Sequence, residues 1–139
     1  IPNNWSTNEG GGIVTSGVSN SIINSVVAAN SSCSGNYPNV YHFDNFGVNS
    51  SNYWYTCAIT TDAFLLAATQ GNILKDPVFV NQGSGDYRLS SDSPCVDTGF
   101  NQDWMTNAVD IDGGPRIRYG IVDMGACEFI YSGTFYTFH

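Results

Sequence analysis

The sequence has few positively charged residues. Only four of its 139 residues are Lys or Arg, against twelve Asp or Glu, so the formal net charge is -8. A nucleic-acid surface needs clustered cations, and an anionic membrane attracts basic segments, so this composition argues against both partners. No apolar run approaches the ~20 residues of a membrane helix, which argues against membrane insertion.

Charged residues of either sign are also scarce, at 12% of the chain against about 25% in an average domain. The polar surface must therefore come from Gly, Asn and Ser, which number fifteen each. This composition suits tight turns between short strands. An acidic, Lys-poor chain of this kind indicates an extracellular or bacterial cell-surface location. The chain begins at Ile1 without an initiator Met, which predicts a processed product or a fragment.

The four cysteines are Cys33, Cys57, Cys95 and Cys127, and none of them forms a C-x-x-C pair. This spacing disfavours a zinc or thioredoxin-like site. An even number of widely spaced cysteines predicts disulfides in an oxidising compartment. Three pairings are available, and we favour Cys33–Cys57 and Cys95–Cys127 because they are the two local closures. The alternative is four buried free thiols.

Short β-favouring runs alternate with turn residues along the chain. The run 19–30 has apolar pairs that would also fit a helix, but its β-branched residues among Ser and Asn favour a strand. Both faces of that strand are largely apolar, which predicts burial on both sides. A helix is predicted over 61–69 and a helical turn near 103–105. The further predicted strands are 13–14, 40–43, 53–59, 73–74, 78–80 and 87–89, and the aromatic runs 129–131 and 134–138 are β-prone.

Two-residue hairpin signals are nearly absent, since Asp112-Gly113 stands alone. Parallel stacking of coils of roughly 25–30 residues fits better than a hairpin sandwich. We therefore predict an all-β, right-handed parallel β-helix (solenoid) of about four or five coils with at most one or two short helices. It forms a single domain, 1–139. Coils with loop insertions occupy 1–71, a C-terminal cap module occupies 72–129, and an aromatic tail strand occupies 130–139.

Two parts of the chain resemble bacterial right-handed parallel β-helix repeat proteins. The Gly-rich start at 10–13 and the run 20–27 resemble their coils. Five motifs resemble the C-terminal module of those proteins: Asp76-Pro77-Val78-Phe79-Val80, Gly85-Asp86-Tyr87-Arg88-Leu89, Ser93-Pro94-Cys95-Val96-Asp97-Thr98-Gly99, Asp110-Ile111-Asp112-Gly113-Gly114-Pro115-Arg116 and Asp123-Met124-Gly125-Ala126-Cys127-Glu128.

Such proteins are often labelled choice-of-anchor Q domain proteins and resemble polymorphic outer-membrane proteins. The resemblance implies a secreted or surface-exposed β-helix of which this chain is the C-terminal end. The family usually has an aromatic residue where this chain has Cys127, and this departure supports a bond between Cys127 and Cys95. The fold also includes polysaccharide lyases and hydrolases, so the resemblance does not select one activity.

An aromatic group in the middle of the chain is a candidate carbohydrate-binding surface. Its members are Tyr41, Tyr53, Trp54 and Tyr55. Alternation along a strand predicts Tyr53 and Tyr55 on one face and Trp54 on the other. Exposed aromatic rings can stack on sugars, so cell-surface glycans or polysaccharide are candidate partners. The alternative is that these rings fill a core.

Asp110 and Asp112 precede Gly113 as in the start of a calcium loop, which makes Ca²⁺ the one candidate cofactor. The following residues do not supply the further oxygen ligands of such a loop. A structural role is favoured, in which these carboxylates pair with Arg116 or Arg118 or accept backbone N–H groups at the turn.

Several carboxylates of the cap module could supply the pair that glycoside hydrolysis needs, but turns attract Asp for structural reasons as well. No catalytic residue is predicted. His42 is expected to be a packed or solvent-facing strand residue.

The open end of a β-helix carries unpaired backbone groups that can template pairing with another chain. Together with the aromatic tail residues Phe135, Tyr136 and Phe138, this predicts self-association, end to end or by strand donation, into a fibre. The expected function is therefore a structural or adhesive module at the cell surface. The alternative is a carbohydrate-binding or polysaccharide-processing fragment of lyase or hydrolase type.

Overall fold

The computed structural model describes residues 5–6, 13–15, 21–28, 30–32, 40–42, 53–59 and 70–132. The helix predicted at 61–69, Cys33 and the tail residues Phe135, Tyr136 and Phe138 lie outside these ranges. The described part of the chain is all-β, with these strands in order: β1 Trp5–Ser6, β2 Ile13–Thr15, β3 Ile22–Val27, β4 Ser31–Ser32, β5 Val40–His42, β6 Tyr53–Ala58, β7 Phe79–Asn81 and β8 Asp86–Leu89.

Among the described residues, two short 3-10 segments accompany the strands, at Gln82–Ser84 and Asp103–Asn107. The second confirms the helical turn predicted near 103–105. Its first-turn residue Asp103 is acidic, as suits the N-terminus of a helical segment.

The first three strands pair with the next three in parallel and in the same order. β1 pairs with β4, β2 with β5 and β3 with β6. A parallel partner can be reached only through a crossover connection, never through a tight hairpin. The parallel pairing expected from the lack of hairpin signals is therefore present between these described strands.

A left-handed backbone position recurs at the same place in three successive segments. Asn24 lies between the paired positions of β3 where Tyr55 lies in β6, and their φ angles are 50° and 49°. A parallel bridge between Cys57 and Ile73 aligns Gly71, with φ 72°, with Tyr55. Glycine and asparagine adopt this conformation most readily, whereas an aromatic residue seldom does. The strands therefore bend together at this level.

The side chain of Asn72 hydrogen-bonds two backbone groups of β6 near the bend. Its Oδ1 accepts the N–H of Thr56 at 3.0 Å, and its Nδ2 donates to the carbonyl of Tyr53 at 2.7 Å. Beyond the bend, backbone pairing resumes between Ala58 N and Ile73 O at 3.0 Å. Buried backbone groups are almost always paired, and here a side chain substitutes for the missing strand.

The β3–β6 sheet is buried on both faces, which confirms the prediction made for the run 19–30. On one face Val26, Ala28 and Cys57 pack against residues of the segment 89–124. On the other face Val27, Tyr53 and Ala58 form a second apolar cluster with Ile22.

The bend at Tyr55 changes which side chains share a face. Tyr53 belongs to the second cluster, whereas Tyr55 packs against the first. The prediction that Tyr53 and Tyr55 lie on one face is therefore wrong. Strict alternation requires an extended backbone, and the left-handed φ at Tyr55 interrupts it.

The C-terminal module, residues 72–129, begins with an antiparallel hairpin. β7 and β8 are joined by the 3-10 segment Gln82–Ser84, and Gly85 follows with φ 81°. Asn81 caps that segment through its Oδ1, which accepts the N–H of Ser84 at 3.2 Å. Both strands coincide with predicted runs, but the hairpin was not expected because its connection contains neither Asn-Gly nor Asp-Gly.

The module lies along one face of the β3–β6 sheet. It contacts β3, which belongs to the first set of strands (β1, β2 and β3), as well as β6 of the second set (β4, β5 and β6). The carbonyl of Asn24 accepts the N–H of Gly125 at 3.0 Å. The Asn24 side chain bonds both backbone groups of Phe100, each at 2.7 Å. These three hydrogen bonds connect residues far apart in sequence and fix the module beside β3.

Some predicted strands are shortened and two observed ones were missed. Ile73 forms only an isolated parallel bridge, and residues 129–132 have no strand partner among the described residues. β1 and β4 were not predicted, because two-residue strands that are mostly serine lack a β-favouring run.

Replacing Gly71 with alanine is expected to destabilise the fold more than the same change at Gly85. Both residues have positive φ. A Cβ added at Gly71 would lie 2.6 Å from the Tyr55 ring, whereas a Cβ added at Gly85 would meet no atom within 4 Å. We expect about 1 kcal/mol of backbone strain in both variants and roughly 1–3 kcal/mol more for Gly71→Ala. Urea unfolding of the two variants measures the difference, and equal losses would contradict the aligned bend.

Candidate functional site

An apolar cleft of about 470 Å³ lies between β3 and the C-terminal module. Phe79 and Tyr87 line it from the hairpin, with ring centroids 5.3 Å apart in an edge-to-face arrangement. Ile111, which is 73% exposed, lines it too. Clefts of this size, lined mainly by apolar and aromatic side chains, are common ligand sites.

Beside the cleft, a buried ion pair joins Arg116 to Glu128. The Arg116 guanidinium also donates to the backbone carbonyls of Asp123 at 3.3 Å and Gly125 at 2.8 Å. The Glu128 carboxylate in turn accepts the N–H of Asp123. Arg116 thereby connects three residues of the segment 123–128, through two backbone carbonyls and one carboxylate.

Two aspartates of the module serve as acceptors for backbone N–H groups. Asp123 accepts the N–H of Asp97 at 2.6 Å on one oxygen and that of Phe129 at 2.5 Å on the other. Asp110 accepts the N–H of Gly114 at 2.7 Å and that of Glu128 at 3.0 Å. The structural role favoured for Asp110 at its turn is therefore observed, with backbone groups rather than Arg116 or Arg118 as its partners.

The metal hypothesis placed Asp110 and Asp112 together, and the structure separates their environments. Asp110 is 6% exposed and has both carboxylate oxygens bonded, whereas Asp112 lies on the surface. Within the described ranges no group of three or more His, Cys, Asp or Glu residues is arranged to hold a metal ion. The calcium hypothesis stays a prediction.

Burial raises the pKa values of two internal carboxyl groups, Glu128 and Asp123. The pKa of Glu128 rises to about 7, because burial and the nearby Asp123 carboxylate outweigh the opposing Arg116 guanidinium. Burial also raises the pKa of Asp123. On the surface, by contrast, hydrogen bonds from Arg88 lower the pKa of Asp86 to about 2.

The predicted carbohydrate-binding aromatics are divided by the structure. Tyr53 is fully buried, so its ring does not lie on the surface. Trp54 is 44% exposed on β6. Tyr55 is half-buried and stacks on Phe100, with ring centroids 5.2 Å apart. Tyr41 lies in β5, paired with Val14 of β2.

Another aromatic group, which the sequence analysis did not identify, lies at residues 119–131. Tyr131 contacts Tyr119 and Phe129 edge-to-face, and its hydroxyl donates to the Asp97 carboxylate at 2.7 Å. Only tertiary packing brings Asp97 to this group, and no local pattern signals the contact. Trp104, 63% exposed, is a further surface aromatic of the module.

The cysteines are placed differently from the favoured pairing. Cys57, Cys95 and Cys127 are thiols in the structure. Cys95 lies against Cys57 in the first apolar cluster, whereas Cys127 is half-buried beside the cleft. The chain around Cys95 packs on β6, and the Cys95–Cys127 bond stays a prediction. Cys33 is outside the described residues, so its bond to Cys57 stays a prediction.

Comparisons with known proteins found no matching family model, no matching curated protein and no matching solved structure. In the part of the chain that the structure describes, no helix has the length and apolar character needed to cross a membrane.

Stability is expected to depend on pH through Glu128. Its proton is held more tightly in the folded chain, where the pKa is about 7, than at the ordinary value of 4.5. Its stabilising contribution is therefore complete below about pH 4.5 and is lost as the pH rises through about 7. Between pH 8 and pH 5 we expect the wild type to gain on the order of 2 kcal/mol relative to Glu128→Gln. Urea unfolding at both pH values measures this gain, and parallel pH profiles for the two proteins would contradict it.

Proposed function

We propose that this chain is a structural, adhesive module of an extracellular or cell-surface protein, built as a right-handed parallel β-helix. The observation that carries the proposal is the ordered parallel pairing of β1, β2 and β3 with β4, β5 and β6. Three strand pairs in one sequential order fit two stacked coils, and a right-handed crossover is the strongly preferred hand.

The recurring left-handed position supports the same architecture. A solenoid repeats its corners at the same place in each coil, and Asn24, Tyr55 and Gly71 fit one such corner in three successive coils. On this interpretation the chain begins a third coil at 71–73, and the C-terminal module flanks the stack.

A stack of coils leaves backbone edges that invite association. Among the described residues, β1 and β2 each pair with a single strand. Unpaired strand edges template the addition of another strand. We propose that this end receives either the preceding coils of a longer chain or a second copy of this chain, with Phe135, Tyr136 and Phe138 contributing to assembly. The acidic, Lys-poor composition supports a location outside the cell.

A second candidate function is carbohydrate binding, favoured by the exposure of Trp54. The buried carboxylates of the module are engaged by backbone N–H groups, and this favours recognition of a polysaccharide over its cleavage.

Association at the first set of strands predicts concentration-dependent oligomers or filaments of the purified chain. Light scattering after size exclusion, with negative-stain electron microscopy, measures them. A lysine on an edge strand hinders pairing, so Val14→Lys and Thr15→Lys in β2 are expected to shift the protein toward monomer.

Val80→Lys is the matched control, because Val80 is a 54% exposed residue of the antiparallel hairpin. It adds the same charge without touching β2 and is expected to associate like the wild type. A wild type that stays monomeric at high concentration would contradict self-association, as would equal effects of all three lysines.

Carbohydrate binding predicts that Trp54→Ala weakens retention on polysaccharide by about tenfold, because an exposed anchoring ring is lost. Trp104→Ala removes an even more exposed tryptophan of the module and serves as the control. Affinity electrophoresis in gels containing acidic or neutral polysaccharide measures both variants. Unretarded migration of the wild type in every gel would rule out the second candidate.

A further inference from the structure

Two cysteines from distant parts of the sequence meet inside the first apolar cluster. Cys57 lies near the end of β6, and Cys95 lies in the C-terminal module. Both are 0% exposed. They belong to the same cluster of packed side chains, and each thiol perturbs the pKa of the other. The Cys57 thiol itself donates to the carbonyl of Lys75 at 3.4 Å.

We propose that Cys57 and Cys95 form a disulfide that fastens β6 to the C-terminal module. This pairing differs from both local closures favoured by the sequence. It concerns the joining of module to strands and does not depend on the proposed surface role.

The backbone on each side of the pair is already held in place. Cys57 pairs with Val26 on one side and with Ile73 on the other. The carbonyl of Cys95 accepts the N–H of Met124 at 3.0 Å, and its own N–H bonds the Ser93 hydroxyl at 3.1 Å. Disulfides demand a narrow range of geometry, so two thiols of one buried cluster on well-held backbones are favourably placed.

The two sulfurs perturb each other in the packed state. The interaction with Cys95, together with burial, raises the pKa of Cys57 well above its usual range. The thiolate is the nucleophile of disulfide exchange, so exchange begins at whichever of the two sulfurs becomes accessible to an external oxidant.

The oxidant is a small-molecule disulfide such as oxidised glutathione. One of the two cysteines, as its thiolate, attacks one of the reagent's sulfurs, forms a mixed disulfide and expels one glutathione thiolate. The other cysteine then loses its proton and attacks the protein sulfur of that mixed disulfide, which forms the Cys57–Cys95 bond and expels the second thiolate. The two cysteines give up two protons and two electrons, and the reagent becomes two thiols.

Burial decides when this exchange takes place. Because neither sulfur is exposed, the reagent reaches either one only before the module packs on the sheet or during its transient opening. Cys127, which lies beside the cleft, is half-buried and serves as a comparison for the two fully buried cysteines.

The test is refolding of the full chain with oxidised glutathione, followed by alkylation, digestion without reductant and mass spectrometry. We expect one dominant linked peptide pair, containing Cys57 and Cys95 and lighter by two hydrogen atoms than the reduced pair. A dominant Cys95–Cys127 or Cys33–Cys57 linkage would overturn the proposal. So would recovery of Cys57 and Cys95 as alkylated thiols after complete refolding.

Thermal unfolding supplies a second readout. The bond closes a loop of several tens of residues, so the oxidised protein is expected to unfold at a Tm about 10 °C higher than the protein kept in reductant. Cys57→Ala and Cys95→Ala should abolish this redox difference, whereas Cys127→Ala should retain it. Each variant is compared with itself under the two conditions, so a general loss of stability does not obscure the result. A redox difference that persists in Cys95→Ala would refute the assignment.

Discussion

The parallel pairing of β3 with β6 is the constraint on which the rest of the described structure depends. These strands carry apolar side chains on both faces, so each face needs a partner to exclude water. One face receives the C-terminal module, and the other packs Val27, Tyr53 and Ala58 together. The module can dock only because β3 and β6 present Val26 and Cys57 side by side in register.

The module itself has little regular structure after β8, and charged side chains organise it instead. Asp110, Asp123 and Glu128 accept N–H groups from backbone that is not paired in a strand. Arg116 donates to the backbone carbonyls of Asp123 and Gly125. A chain with only 12% charged residues thus places several of them inside. Buried charges are tolerated where they are paired and hydrogen-bonded, and the cost of burial remains visible in the raised pKa of Glu128.

Local pattern was sufficient for some elements and insufficient for others. The runs that became β3, β5, β6, β7 and β8 were predictable, because β-branched and aromatic residues cluster there. The scarcity of hairpin signals favoured parallel pairing, which the first six strands adopt, although β7 and β8 form a hairpin through a 3-10 connection. The role of Asp110 at its turn followed from its neighbours. Tyr53 could not be assigned to the core, since the left-handed backbone at Tyr55 interrupts the alternation and no local pattern signals it.

The sequence by itself determined the all-β character, the two-faced burial of the run 19–30 and the turn chemistry of the module. These properties depend on side-chain type and local spacing, which a linear sequence contains. The tertiary structure alone decided which cysteines meet, which aromatic rings remain exposed and where the module lies. Those outcomes depend on contacts such as Asn24 with Phe100 and Cys57 with Cys95, between residues far apart in sequence. Spacing along the sequence favours pairing between neighbouring cysteines, whereas packing brings together the side chains that complete a buried face.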